Sequence, residues 1–373
     1  MRQRRHRVRN SAHLVINKME GASQTSNSNT TSTINTVSDS INNMNISNNN
    51  TATNNDDNTL EVTEQLQNMR VADNNVSICA NCGKEGANNV CNKCKQVKYC
   101  NAVCKKVHKK KHKKDCEEHI RLAAEKHDEE LFKQPPPTDK DCPICFIRLP
   151  ILTSGYRYMV CCGTIICSGC EHAPVYDNQG NEVDSEKCPF CRTPWPDTDE
   201  EMRKRLNERM EAGDAEAIYN MGCYFYNGRY GFQQDYTKAL ELWRRAGDLG
   251  YPPAYVNIGY AYGNGISPLE VDKEKEIHYY ELAAMAGNEV ARNHLGVYEE
   301  DEGNMDRALK HHMIAVRDGY YDSLERTKNL YSKGFATKGD YMIALLSYQE
   351  YLSEIKSRQR DEAAAADKKY RYY

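Results

Sequence analysis

The chain has 373 residues, a formal net charge of −3 at pH 7 and 39% apolar residues, enough for two or three domains, although the composition is too uneven for all of it to fold. That charge balance speaks against a generally nucleic-acid-binding surface, no window approaches the ~20 apolar residues that span a bilayer, and the N-terminus lacks the apolar core of a secretory signal. With no such signal, sixteen cysteines recurring as C-x-x-C pairs read as reduced thiolates on zinc rather than disulfides, and the expected compartment is cytoplasm or nucleus.

The opening "MRQRRHRVRN" is Arg-rich and acid-free. It fits a nuclear import signal, less well an organelle transit peptide, and equally a solvated basic tail. From Gly21 to Asn55 the sequence is almost wholly Asn, Ser and Thr, too polar to offset its conformational entropy. Residues 1–75 are therefore expected to be a basic, Asn/Ser/Thr-rich disordered tail, with a weak amphipathic helix over Leu60–Val71.

The first cysteine block offers Cys79, Cys82, Cys91, Cys94, Cys100, Cys104, His112 and Cys116, enough donors for two tetrahedral sets. Pairs two or three residues apart can turn two sulfurs to one ion, and four protein donors leave no open position for catalysis. Order and spacing over 79–116 resemble a MYND zinc finger. The resemblance implies interleaved sites, Cys79, Cys82, Cys100 and Cys104 on one zinc and Cys91, Cys94, His112 and Cys116 on the other, and recognition of short proline-containing peptides. Lys109 stands where that family usually has an aromatic, and His108 is assigned no ion and is expected to be an exposed structural residue. Seven lysines between Lys105 and Lys114 are expected on the exposed sides of a short helix closing the site. The alternative for them is a nucleic-acid arm, whose affinity would fall steeply with salt.

"EEHIRLAAEKHDEELF" predicts a helix with Ile120, Ala124 and His127 on one stripe, stopped by Pro135-Pro136-Pro137, so that 117–138 is a helix and proline linker. A second block over 142–192 pairs Cys142 with Cys145, Cys167 with Cys170 and Cys188 with Cys191, with Cys161 and Cys162 between. It resembles a RING finger, a cross-braced fold holding two more zinc ions. The resemblance puts Cys142, Cys145, Cys167 and Cys170 on one ion and Cys188 and Cys191 on the other with ligands from the stretch "VCCGT", where Cys161 and Cys162 are candidates although neighbouring residues chelate one ion under strain. Thr164 occupies the usual histidine position, and His172 is another candidate ligand. By the same resemblance Ile144, Pro189 and Arg192 match the residues that contact a charged ubiquitin-conjugating enzyme. The plain alternative is that Ile144 and Pro189 pack the zinc loops and Arg192 is a surface charge.

Thr198 and Glu201 predict a capping box for a connecting helix over 198–212, with Met202, Leu206 and Met210 recurring every four residues. The sequence then repeats. "DAEAIYNMGCYFYNG", "PPAYVNIGYAYGNG" and "NEVARNHLGVYEEDEG" align Ala217, Ala254 and Ala291 and, five residues on, Gly222, Gly259 and Gly296. Asp235, Asp272, Asn304 and Asp340 are expected to cap second helices, Trp243, Tyr280, His312 and Tyr348 form a column, and Gly250, Gly287 and Gly319 close the first three units. These features resemble SEL-like repeats, relatives of tetratricopeptide repeats, in about four units over 213–355. The third unit is about five residues short between its helices, and the fourth has Ser323 and Lys328 in place of Ala and Gly. Cys223 reads as a small core residue, and Tyr255, Tyr260 and Tyr262 as packing before groove lining. A C-terminal helix or tail occupies 356–373.

The expected fold is small zinc-stabilised modules plus an all-α helical-repeat solenoid behind a disordered N-terminal tail. The expected function is a zinc-binding adaptor for protein partners, with no catalytic residue of its own and no membrane association. The alternative is a RING-type ubiquitin-protein ligase whose MYND finger or repeats select the substrate. Methyl transfer, which some MYND-containing chains perform, is disfavoured because nothing here resembles the segments that bind its cofactor and substrate.

Overall fold

The computed structural model describes residues 77–133, 141–176, 179–180, 182–183 and 186–373. The expected disordered tail, the Leu60–Val71 helix and the Pro135–Pro137 run lie outside these residues. The chain divides into two units, one ending at Glu129 and the other running from Glu130 to Tyr373.

In the first unit the strands β1 (Asn89–Val90) and β2 (Lys98–Tyr99) pair antiparallel. Helix α1 (Ala102–His108) follows, its first turn capped by Asn101, whose side chain accepts from the Cys104 N–H. Cys79, Ala87 and Tyr99 are the buried centre, little apolar material for a module of this size. Helix α2 (Lys113–Phe132) comes next. Its expected stripe is not a buried face: Ile120 is 41% exposed, and Ala124 and His127 are also exposed. Charged residues surround that stripe, and the exposed helix is supported locally by Arg121, which pairs with both Glu118 and Glu125.

The second unit begins with a hairpin, β3 (Tyr156–Met159) against β4 (Thr164–Cys167), with Cys161, Cys162 and Gly163 in its turn. Helix α3 (Ser168–His172), a small hairpin of β5 (Val175–Tyr176) and β6 (Glu182–Val183) and the turn that carries Cys188 and Cys191 complete the cysteine-rich part. Helix α4 (Asp199–Glu211) leads into four antiparallel helix pairs: α5 (Ala215–Asn227) with α6 (Tyr236–Asp248), α7 (Pro252–Asn264) with α8 (Lys273–Met285), α9 (Glu289–Asp301) with α10 (Met305–Arg317), and α11 (Tyr321–Ser332) with α12 (Lys338–Ile355). Helix α13 (Arg358–Ala366) and a short 3-10 turn (Lys368–Tyr370) end the chain. Among the described residues the architecture is thus mostly helical, and no helix is long and apolar enough to cross a membrane.

Within each of the first three pairs a glycine receives an aromatic. A β-carbon on Gly222 would come within 2.7 Å of Trp243, one on Gly259 within 2.8 Å of Tyr280, and one on Gly296 within 2.5 Å of His312. The bare backbone lets the ring approach, and the ring fills the space, which is how two helices of unlike residue size interlock. Gly250, Gly287 and Gly319, all at positive φ, turn the chain from one pair to the next. The linkers within the first two pairs are residues 228–235 and 265–272, and within the third only 302–304, which accounts for the short third unit.

The caps are mixed. Asp235 and Asp272 accept from the backbone N–H groups of Lys238 and Lys275. Asn304 makes no cap bond; its amide donates instead to Glu299 Oε2. Asp340 is not a cap either, because Thr337 takes that position and Asp340 closes a capping box three residues on. Before α4, Thr198 accepts from the Glu201 N–H, but Glu201 accepts from Asp197 rather than from Thr198, so only half of that expected box forms.

Candidate metal centres

Four C-x-x-C pairs lie in turns of one design. After Cys79, Cys91, Cys142 and Cys188, the residue four places on donates its N–H back to the cysteine carbonyl, and that residue is Gly83, Lys95, Phe146 or Arg192. All four have positive φ, between 55° and 72°. Each of those cysteines also donates its N–H to a carbonyl five or six residues on, at Lys84, Val97, Ile147 and Thr193. The reversal aims both sulfurs of a pair to one side. Three of the four positions carry a side chain where glycine would be easier, so the turn is held against a local cost.

The donor atoms gather in four sets, each with all atoms within 4.8 Å of one another: Cys79, Cys82, Cys100 and Cys104; Cys91, Cys94, His112 and Cys116; Cys142, Cys145, Cys167 and Cys170; and Cys161, Cys162, Cys188 and Cys191. Sulfur separations are 3.6 Å for Cys82–Cys100, 3.7 Å for Cys91–Cys116, 3.8 Å for Cys145–Cys167 and 3.3 Å for Cys161–Cys191. A disulfide would need ~2 Å, whereas ~2.3 Å zinc–sulfur bonds in a tetrahedron put sulfurs ~3.8 Å apart. In the second set His112 presents Nε2, 3.3 Å from Cys94 Sγ. The donor chemistry and the spacing both fit zinc. With four protein donors to each set, such centres fix the fold instead of activating water.

Each set contains a thiol pushed down and at least one neighbour pushed up, as where burial raises Cys116 to about 11 beside the lowered Cys91. Burial raises Cys91, but the Cys94 and Lys93 N–H groups bring it down to about 6. Hydrogen bonding from Cys161 lowers Cys188 to about 5 against its burial. Cys161 and Cys162 lie 4.0 Å apart between sulfurs, so the vicinal pair at the hairpin turn reaches one set. Cys167 at the end of β4 and Cys170 in α3 belong to the third set, and the Cys170 N–H points at Cys167 Sγ over 3.4 Å. His172 is exposed, its ring against Tyr370 and outside every set. Thr164 opens β4, and its side chain and backbone N–H hydrogen-bond the Cys162 sulfur.

Ile144 is 37% exposed, Pro189 is half-buried and Arg192 is exposed. The same two turns expose Phe146 at 78% and Phe190 at 47%. His108 belongs to no donor set. It is half-buried, not exposed as expected, because Tyr99 OH lies 3.2 Å from its Nδ1 and its ring stacks on His112. Of the lysines, Lys105 is tied to the Val90 carbonyl and Asn92, while Lys106, Lys109, Lys110, Lys111, Lys113 and Lys114 are exposed, spread over α1, the turn after it and the start of α2. Cys223 is fully buried, and burial raises its thiol to about 12.

One residue at the third set carries no signal in the sequence. Arg360, from α13, is fully buried and donates to the carbonyls of Arg148, Ile355 and Ile147 at 2.6, 2.6 and 3.1 Å, with Nη2 4.0 Å from Cys145 Sγ. A zinc held there by four thiolates would carry a formal charge of about −2, and this guanidinium would offset part of it. Only the fold could reveal it, since the contact joins residues more than two hundred positions apart.

Comparison with known proteins agrees with these parts. A family model described as MYND finger matches residues 79–116, and one described as Sel1 repeat matches 215–251 and 252–288. The chain therefore contains a MYND finger and Sel1 repeats. Among curated proteins, the ERAD-associated E3 ubiquitin-protein ligase component HRD3A of Arabidopsis thaliana is 35% identical over 60 residues, 16% of this chain and 9% of that protein. Among solved structures, a Sel1 repeat protein from Oxalobacter formigenes is 24% identical with a TM-score of 0.37, over 47% of this chain and 67% of that one. A protective antigen of uropathogenic Escherichia coli displaying an SLR fold is 25% identical with a TM-score of 0.35, over 43% of this chain and 35% of that one.

Proposed function

We propose that the chain is a zinc-containing protein-interaction adaptor in which a MYND finger and a Sel1-type solenoid recruit partners and the metal centres supply rigidity, about four zinc ions in all. The observation that carries this reading is the closure of all four donor sets by protein atoms, each within 4.8 Å, beside a repeat scaffold of the kind that presents extended binding surfaces. Zinc, when bound, ties together turns that have little apolar core of their own. The chain's residues do the rest: the left-handed turns orient the sulfurs, and the exposed surface of the finger meets short proline-containing peptides. Reduced thiolates require a reducing compartment, cytoplasm or nucleus. The test is peptide binding by the full chain: affinity for proline-containing peptides should be lost in Cys91→Ala and on chelation, and binding indifferent to both would remove the reading.

A second reading is favoured by the second cysteine block, which is RING-like. Ile144, Phe146 and Phe190 are apolar residues left exposed on its two turns, and Arg192 stands directly after the last cysteine. Phe146 in particular is a large exposed aromatic at a left-handed position, a costly placement with no packing return. In this reading these residues hold a charged ubiquitin-conjugating enzyme and the chain acts as a RING-type E3 ubiquitin-protein ligase. The HRD3A relative is named as a component of such a ligase, and the likeness covers 9% of it. Ubiquitin discharge from a panel of charged conjugating enzymes should depend on zinc and fall in Ile144→Ala and Arg192→Ala. Discharge absent across the panel would leave the adaptor alone.

A further inference from the structure

The third repeat unit departs from the others at one buried position. The residue after Ala217, Ala254 or Ser323 is Ile218, Tyr255 or Leu324, but after Ala291 it is Arg292. Arg292 is 1% exposed, and none of its three guanidinium nitrogens has a hydrogen-bond partner. Stacking asks only for an apolar or aromatic side chain here, and a buried cation without a partner costs several kcal/mol. Burial lowers Arg292 to about 10, which still leaves it charged at neutral pH, and Asp318 favours the charge from a distance without bonding to it.

A second unmet group lies beside it. His311 on α10 is fully buried with both ring nitrogens lacking partners, where the other units have Leu242, Tyr279 and Ser347. Burial first, and then the charge of Arg292, pushes His311 down to about 2, so the ring is neutral. The pair therefore offers one fixed positive charge and several free donors, and the missing element is an anion.

The cover over His311 belongs to the chain itself. The Phe132 ring lies 4.6 Å from that of His311, and Arg307 and Lys310 stand over it at 5.2 and 5.3 Å. Leu131, 1% exposed, joins the core around Val256 and Tyr280. In sequence these anchors follow acids, Asp128-Glu129-Glu130-Leu131-Phe132. The resident residues fill the apolar half of the site and leave Arg292 unmet.

We propose that Arg292 and His311 form the floor of a peptide site in the third repeat unit that recognises an acidic side chain next to a large apolar pair, with Leu131 and Phe132 occupying it until a partner arrives. A partner seats its aromatic where Phe132 lies and brings a carboxylate to Arg292 in a charge-assisted pair that the resident residues do not supply. This rests on the reading of the repeats as a protein-binding surface and names the ligand class.

The experiment uses the full zinc-loaded chain and two labelled peptides that carry the acids after the apolar pair, because the resident acids that precede Leu131 leave Arg292 unmet: AALFDE and its amide counterpart AALFNQ, followed by fluorescence polarisation. Phe132→Ala should bind AALFDE roughly tenfold tighter than the unaltered chain does, and roughly tenfold tighter than it binds AALFNQ. Arg292→Met added to Phe132→Ala should erase the gap between the peptides; if that variant loses its circular dichroism or zinc, Arg292→Lys replaces it and should narrow the gap. No binding by Phe132→Ala, equal binding of the two peptides, or a gap that survives the Arg292 change overturns the proposal. If it falls while the finger still captures proline-containing peptides, the adaptor reading stands without this site.

Discussion

Arg360→Met removes a guanidinium while keeping most of its stem. Three hydrogen bonds from a charged donor disappear, to Arg148, Ile355 and Ile147; the bond to Ile355 is buried and the other two are part-buried. Each such bond is worth ~1.5–3 kcal/mol, and the desolvation recovered with the lost charge offsets part of the sum, so the expected net loss is about 3–5 kcal/mol. The loss falls on the contact between α13 and the second cysteine block, not on the chain at large. If zinc leaves the third donor set through opening of that contact, its release should accelerate by roughly 10²–10⁴-fold, read with a metallochromic indicator, while release from the MYND finger is unchanged. Arg360→Lys should fall between, since one ammonium cannot reach three carbonyls. Release unchanged in both variants, with the protein folded, would refute the assignment of Arg360 as the clasp and counter-charge of that centre.

Three further outcomes follow from the geometry. Gly222→Ala gains ~1 kcal/mol of helix propensity, but its β-carbon would sit 2.7 Å from Trp243, an overlap costing ~1–3 kcal/mol; urea denaturation should show net destabilisation that vanishes or reverses in a Trp243→Leu background. Burial pushes His294 down to about 4, below its ordinary ~6.5, so the unfolded chain binds the proton first and stability, complete above pH 6.5, declines as pH falls towards 4. Relative to His294→Phe, which keeps a ring against Tyr280, the unaltered chain should lose about 2 kcal/mol between pH 7 and pH 5, and parallel curves would refute this. Cys161→Ser and Cys162→Ser should each lower the zinc content by about one ion while His172→Ala leaves it unchanged; full content in either serine variant removes that sulfur from the fourth set.

What was legible in the sequence was whatever is local or periodic. The C-x-x-C pairs announce their turns because two sulfurs two residues apart must share an ion, and Gly222, Gly259 and Gly296 announce their aromatic partners because the repeat carries both at fixed spacing. Asp340 misled because alignment by register cannot see that Thr337, three residues earlier, makes the better cap once the loop shortens. The Ile120 stripe misled because helical periodicity states which residues share a face, not whether anything covers it. Arg360, Arg292 and His311 were illegible for one reason: each acquires its meaning from residues remote in sequence, and a lone charged residue in a helix reads as surface until the fold buries it.

The second cysteine block is built into the solenoid, not strung beside it. Tyr158 from β3 and Val160 just after it lie in one core with Met202, Leu206 and the first repeat helices, where Tyr158 OH donates to Asp214 over 2.6 Å and Arg209 to the Cys161 carbonyl over 2.9 Å. At the other end of the array the Ile151 N–H donates to Tyr351 OH, Arg148 pairs with Glu354, and Ile151 packs in the core formed by Tyr348, Tyr351 and Tyr372. Anchors in the first and last repeat pairs fix the block against rotation, so the exposed Ile144 and Phe190 keep a set relation to the repeats. A module free on a linker explores orientations and meets any bound substrate only part of the time; this one is pre-oriented, and ordering entropy that a tethered module would lose on each encounter is already spent in folding. A substitution that loosens α13 should therefore disturb the block and the last repeat pair together.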